Sequence, residues 1–143
     1  MSDRLAIVLD RLIPGDPERG WPTPSAIDLA AKARALADGR GEPTLLDAIA
    51  ARLPDGFEAM PEADQVAALS HLEAGDGEAF GRLIHYAYGA YYIDPAVRRT
   101  VEVRTGYPAR PPQPQGYTLP PFDEALLETV KTRPPFWRPV PKR

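Results

Sequence analysis

The stretch EAFGRLIHYAYGAYYIDP, residues 78–95, decides the fold because it combines helical periodicity with a strong helix boundary. Its apolar side chains recur three or four positions apart, at Phe80, Leu83, Ile84, Ala87 and Tyr91. That spacing places them on one face of an α-helix. Asp94 is a favourable N-cap and Pro95 suits the first helical position. The stretch therefore predicts a helix from about Glu78 and a second, short helix after Asp94.

Four segments before this stretch have the same amphipathic period, and proline or glycine separates them. They cover residues 3–13, 23–38, 43–53 and 61–75. Thr23 and Pro24 predict the start of the second helix, and Val66, Leu69 and Leu72 predict the buried stripe of the fourth. Residues 100–104 alternate like a strand, but an isolated strand gains little, so we assign them to a helix end or irregular chain. The predicted fold is all-α, a small helical bundle.

Proline is concentrated at the C-terminal end of the chain. Ten of the 18 prolines lie in the last 36 residues, which favours extended, polyproline-like structure. Asp123 and Glu124 begin one more short amphipathic helix. We therefore predict a bundle domain over residues 1–106 and a proline-rich arm with one short helix over residues 107–143.

Composition limits the possible partners and compartments. The 143 residues include no cysteine and carry a net charge of −3. From Arg98 onward the chain has nine Lys/Arg and four Asp/Glu, whereas the part before Arg98 has eight Lys/Arg and sixteen Asp/Glu. The basic residues do not cluster, so we expect an acidic protein surface as the target and no nucleic acid. No signal peptide and no apolar run of about 18 residues is present, so we expect a cytoplasmic protein without membrane insertion.

Catalytic and metal-binding patterns are weak in this sequence. The pairs Gly39/Gly41 and Gly75/Gly77 lie between predicted helices, where they end helices and do not form a phosphate loop. His71 and His85 are too far apart in sequence for one helix to present both to a metal. We predict no catalytic, cofactor-binding or metal-binding residue on this chain.

The tyrosines of the predicted fifth helix fall on two faces. Tyr88, Tyr92 and His85 share one face, and Tyr91 belongs to the apolar face described above. One face must contact the core. The other either packs inside, under the proline-rich arm, or forms a partner-binding patch, because tyrosine and tryptophan are enriched at the centres of interfaces. Tyr117 and Trp137, both in the arm, suit the same interpretation.

Several short motifs resemble a known family, the small third subunit of gluconate 2-dehydrogenase and of related flavin-dependent sugar and polyol dehydrogenases. Leu12-Ile13-Pro14, followed by the helix entry at residues 22–26, resembles that family's N-terminal "IIP…P.A" pattern. Residues 89–95, GAYYIDP, are similar to its "GYYSDP", and Gly106-Tyr107-Pro108 to its "GYPG", with Ala109 in place of the last glycine. The resemblance extends over roughly residues 5–120, and the order of the motifs gives it weight.

The resemblance implies a non-catalytic subunit that binds a large FAD-dependent dehydrogenase of the glucose-methanol-choline type and supports its folding, stability or export. FAD is then expected on the partner. Many family members begin with a twin-arginine signal, whereas Arg98-Arg99 in this sequence is internal, so we expect a cytoplasmic complex. The residues that we assign to partner binding or to the family motifs are Tyr88, Tyr91, Tyr92, Asp94, Pro95, Gly106, Tyr107, Pro108, Tyr117 and Trp137. The same patch permits self-association when the partner is missing.

Two alternatives remain open from the residues alone. The chain could be a stand-alone helical protein that binds a small ligand in a tyrosine/histidine cleft. It could also be an enzyme that uses His85 and Tyr88 as a proton-transfer pair.

Overall fold

A computed structural model describes residues 3–108 and 121–134. The chain divides into two units, Met1–Arg110 and Pro111–Arg143, which we describe separately. In the described ranges every regular element is a helix, and the single β-bridge, between Asp16 and Trp21, closes a turn. The predicted all-α class is therefore confirmed.

The first unit contains six α-helices in the described part of the chain. They are α1 Arg4–Leu12, α2 Leu29–Asp38, α3 Leu45–Ala50, α4 Glu62–Gly75, α5 Gly77–Ile93 and α6 Pro95–Thr105. Short 3₁₀ helices at Pro17–Arg19, Ser25–Ile27 and Phe57–Ala59 lie in the connections. Side-chain N-caps begin three of the α-helices, with Asp3, Asp76 and Asp94 accepting hydrogen bonds from backbone N–H groups.

One hydrophobic core holds the first unit together. Helix α5 packs mainly along α2 and α4, and α1 contacts α2, α3 and α4. Small residues on α2 allow the close approach, with Ala33 fully buried and Leu36 lying against Gly89 of α5. The large side chains buried at the centre are Leu5, Val8, Leu9, Leu29, Leu46, Phe57, Leu83 and Val97. Apolar burial of this kind is the main stabilising contribution to such a bundle.

The predicted continuous helix over residues 23–38 is wrong in its first turn. A 3₁₀ turn at Ser25–Ile27 is followed by Asp28 in the left-handed region (φ 50°), and α2 begins only at Leu29. The physical reason is a contact with α1. The backbone N–H of Ser25 donates to the Asp10 carboxylate at 3.0 Å, and the Ser25 hydroxyl donates to the same group. This attachment turns the chain away from the axis of α2.

The predicted buried stripe of α4 is wrong at one position. Val66 is 46% exposed, whereas its neighbour Gln65 is 3% exposed. The Gln65 amide oxygen accepts from Arg11 Nε at 2.7 Å, and its amide nitrogen donates to the Phe57 carbonyl at 3.1 Å. Because both ends of the amide are hydrogen-bonded, its burial is not penalised. Leu69 and Leu72 are buried as predicted.

The described part of the second unit confirms the predicted last helix. Asp123 caps a 3₁₀ turn, Glu124–Leu127, by accepting a hydrogen bond from the Ala125 N–H at 3.0 Å. A single α-turn, α7 Glu128–Lys131, continues it. The remainder of the predicted arm, residues 109–120 and 135–143, lies outside the described residues.

Candidate functional site

The four tyrosines of α5 divide into a buried pair and an exposed pair. Tyr86 and Tyr91 are 4% and 2% exposed, whereas Tyr88 and Tyr92 are 41% and 54% exposed. The apolar face that the spacing predicted, with Ala87 and Tyr91, is the face that contacts the core. The face that carries Tyr88 and Tyr92 points to solvent.

The buried tyrosines connect α5 to other parts of the fold. The Tyr91 hydroxyl donates to the Pro22 carbonyl at 2.8 Å, and the Tyr86 hydroxyl donates to the Glu42 carboxylate. Burial raises the pKa of Tyr91, with smaller contributions from Tyr92 and the carboxylate of Asp94. Tyr91 is thus neutral, and its hydroxyl proton is available for the hydrogen bond to the Pro22 carbonyl. Its role in this structure is to brace the fold.

Asp94 also braces the fold. Its side chain is 3% exposed, accepts from the Ala96 N–H at 2.8 Å and pairs with Lys32 Nζ at 2.5 Å. Burial opposes ionisation, but the hydrogen bonds from Lys32 and from the backbone outweigh it and hold the pKa of Asp94 below its ordinary value. Pro95 occupies the first turn of α6, as predicted.

The connection between α1 and α2 is attached to α6. The Thr100 hydroxyl donates to the Gly20 carbonyl at 2.5 Å, and Arg104 donates to the Arg19 carbonyl from Nε and Nη2 at 2.9 and 2.6 Å. Together with the bond between Tyr91 and Pro22, these contacts bring the N-terminal motif beside the one at residues 89–95. Sequence reasoning did not predict this pairing, because backbone carbonyl acceptors leave no pattern in the sequence.

The exposed pair forms an ordered aromatic surface. The Tyr88 and Tyr92 rings stack with their centroids 6.2 Å apart and their planes 29° apart. Tyr92 also meets the buried Tyr91 edge-on, with centroids 5.4 Å apart. Ile93, the last residue of α5, is 61% exposed. We call Tyr88 and Tyr92 the tyrosine surface.

The third motif lies at the end of α6. Gly106 caps the helix in the left-handed region (φ 69°), a conformation that favours glycine. Tyr107 is 57% exposed, and Pro108 is half-buried. Tyr117 and Trp137 lie outside the described residues, so their assignment remains a prediction.

His85 contacts Arg40 and Tyr86. Its Nε2 atom lies 3.0 Å from Arg40 Nη1, and its ring meets Tyr86 edge-on at 5.4 Å. Within residues 3–108 no hydrogen bond joins His85 to Tyr88.

His71 lies in a different cleft, which the sequence did not predict. A cavity of about 450 Å³ lies between the end of α3 and the second half of α4. Arg52 and Asp76 close one side with an ion pair of 2.6 Å, and Asp76 also caps α5. The hydrogen bond from the Ala79 backbone N–H lowers the pKa of Asp76 most, and the hydrogen bond from Arg52 lowers it further.

Two further features concern metals and membranes. In the part of the chain that the structure describes, no three potential ligands from His, Asp and Glu converge on one point. In the same residues, no helix is both long and apolar enough to cross a membrane.

No protein-family model, no curated protein and no solved structure matches this chain.

Proposed function

We propose that this chain is a non-catalytic accessory subunit that binds and stabilises a large FAD-dependent dehydrogenase of the glucose-methanol-choline type. The proposal takes the class of partner from the resemblance of residues 12–26, 89–95 and 106–108 to the small-subunit family. The observation that carries it is the stacked, exposed pair of Tyr88 and Tyr92 on a helix whose opposite face is core. FAD belongs to the partner in this proposal.

The tyrosine surface has the chemistry of an interface centre. Tyrosine offers a large apolar area together with a hydroxyl, and it is enriched among the residues that contribute most to binding energy. A soluble helix that exposes two stacked rings leaves apolar area in water, and contact with a partner removes that area. Exposed Ile93 adds aliphatic area at the end of the same helix.

The surface is also held in position before binding. Tyr92 rests edge-on against Tyr91, and Tyr91 is fixed by burial and by its bond to the Pro22 carbonyl. Ordering flexible side chains costs about 0.5–1.5 kcal/mol for each residue on association. A surface that is already ordered avoids part of this cost. The buried motif residues, Tyr91 and Asp94, thus support the exposed residues that contact the partner.

The test is co-expression of the chain with the protein encoded by the neighbouring reading frame, which the proposal expects to be a flavin-dependent dehydrogenase. We expect the chain to increase the soluble yield and activity of the large subunit and to co-purify with it. The double variant Tyr88→Ala/Tyr92→Ala should lose most of this co-purification, because removal of interface aromatics costs about 2 kcal/mol or more.

Val66→Ala is the matched control, because Val66 is exposed to a similar degree on α4. It should co-purify like the natural chain. Circular dichroism should give the same helix content for all three proteins, since none of the substituted side chains is buried. A large subunit that is fully soluble and active alone would contradict the proposal. So would a double variant that binds as well as the Val66→Ala control.

A further inference from the structure

A groove on the first unit lies between the connection at Glu18–Gly20 and the outer face of α6. Its volume is about 520 Å³. The α6 side is formed by Arg99, Thr100, Val103 and Arg104, which follow one another at helical spacing. The two sides are joined by the bonds from Thr100 and Arg104 to the carbonyls of Gly20 and Arg19.

The groove carries excess positive charge. Arg19, Arg99 and Arg104 line it, and Glu18 is the single acidic residue among the described residues that line it. Within the described ranges, Arg19 pairs with Asp16 at 3.1 Å, but no carboxylate lies in ion-pair contact with Arg99 or Arg104. The Arg104 guanidinium uses its Nε and Nη2 atoms on the Arg19 carbonyl, which fixes its position without neutralising its charge. Among the described residues, Arg99 and Arg104 of the groove thus have no ion-pair partner.

An apolar side chain lies between these cations. Val103 is 81% exposed, although it belongs to an ordered helix and lines the groove beside Arg99 and Arg104. A valine flanked by arginines suits a ligand that brings carboxylates and one aliphatic side chain together. An acidic peptide segment has this combination.

We infer that this groove binds an acidic segment of a partner protein, with Asp or Glu side chains on Arg99 and Arg104 and an aliphatic side chain on Val103. This inference does not depend on the tyrosine surface or on the partner being a flavoprotein. It adds a second, electrostatic contact to the chain.

The charge distribution favours a short acidic peptide over a polyanion. Nucleic acids and anionic membranes present extended negative charge, and the sequence before Arg98 has twice as many acidic as basic residues. A long polyanion in the groove would therefore meet repulsion from the rest of the bundle. A short segment needs only the local positive field, which extends about 10 Å at 0.1 M salt.

The test uses the full chain and a fluorescein-labelled decapeptide of alternating Asp and Glu with two Leu residues, in a titration followed by anisotropy. We expect saturable binding that Arg99→Glu weakens about tenfold, since the reversal removes one attraction and adds a repulsion. Arg40→Glu changes net charge equally at an exposed arginine of the same unit that is not among the groove residues, and it should weaken binding less than about twofold. Val103→Ser should weaken binding about threefold through lost apolar contact.

Three results would overturn the inference. The first is that the decapeptide with Asn and Gln in place of its acids binds equally well. The second is that Arg99→Glu and Arg40→Glu have the same effect, which indicates a response to net charge alone. The third is that a single-stranded RNA oligonucleotide or phosphatidylserine vesicles bind more tightly than the peptide and lose that binding in Arg99→Glu. The melting temperature of each variant separates lost binding from lost folding.

Discussion

The carboxylate of Asp94 lies where α5 ends and α6 begins, and it accepts hydrogen bonds from α6 and from α2. The Ala96 N–H and Lys32 Nζ are its donors. A charge with so little exposure persists only because these partners replace water. Asp94 is therefore first a structural residue, which joins α2, α5 and α6.

Substitution of Asp94 should separate its role as the cap of α6 from its hydrogen bond with Lys32. We expect Asp94→Ala to lower the free energy of unfolding by about 2–3 kcal/mol at neutral pH, because both the cap and the charged hydrogen bond are lost. Asp94→Asn keeps a capping oxygen and should cost about 1 kcal/mol less. Urea denaturation followed by circular dichroism measures both values. Equal losses in the two variants would contradict a capping role.

The same residue predicts a pH dependence. The pKa of Asp94 is lower in the folded chain than in the unfolded chain, so its ionised form stabilises the folded state above the unfolded pKa of about 3.9. That contribution is lost as the pH falls through the folded pKa. The difference in stability between the natural chain and Asp94→Asn should therefore be largest near neutral pH and should shrink in acid. A difference that stays constant with pH would show that Asp94 is not ionised in the folded chain.

At the scale of elements, the closest packing lies between α2 and its neighbours. The buried face of α2 consists mainly of alanine, with Ala33 and Ala37 both nearly free of solvent contact. At Gly89 of α5, an added Cβ atom would lie 3.3 Å from the Leu36 side chain. Space for larger side chains is therefore small along this contact.

Enlargement of this buried face should destabilise the bundle. We expect Ala33→Leu to lower the free energy of unfolding by about 1–3 kcal/mol, because the extra methylene groups force neighbours out of their rotamers. Ala35→Leu is the matched control, since Ala35 is exposed on the same helix and leucine is also a good helix former. Chemical denaturation of both variants checks the difference. If Ala33→Leu were as stable as Ala35→Leu, α2 would not pack as closely as described.

The same scale shows how far sequence periodicity can be trusted. It located α4 and α5 because long amphipathic repeats and the Gly75–Gly77 break are local features. It failed at Val66 because the alternative, buried Gln65, depends on Arg11 and on the Phe57 carbonyl. It failed at Asp28 because Asp10 holds the preceding turn. In each case a contact from a distant part of the sequence outweighed the local pattern.

At the scale of the whole molecule, the core lies entirely in the first unit as far as the described residues extend. Its buried side chains run from Leu5 to Val97. In the described part of the second unit the apolar side chains are exposed, including Phe122, Leu126 and Val130.

This location of the core predicts that the first unit folds alone. We expect a chain that ends at Arg110 to unfold cooperatively in urea, with a free energy of unfolding within about 1 kcal/mol of the full chain. The full chain under the same conditions is the control. A loss of more than about 2 kcal/mol, or a broad transition, would show that residues 111–143 contribute to the core.

The amino-acid sequence by itself determined the all-α class, the positions of the helix caps at Asp94 and Asp123, and the presence of two tyrosine faces on α5. These properties follow from local propensity and from a period of 3.6 residues. Only the tertiary structure decided that Tyr91 and Asp94 brace the fold while Tyr88 and Tyr92 reach solvent, and that α6 forms a basic groove with the Arg19–Gly20 backbone. Those outcomes depend on which residues, distant in sequence, come within hydrogen-bonding or van der Waals distance. The local sequence pattern does not determine these contacts.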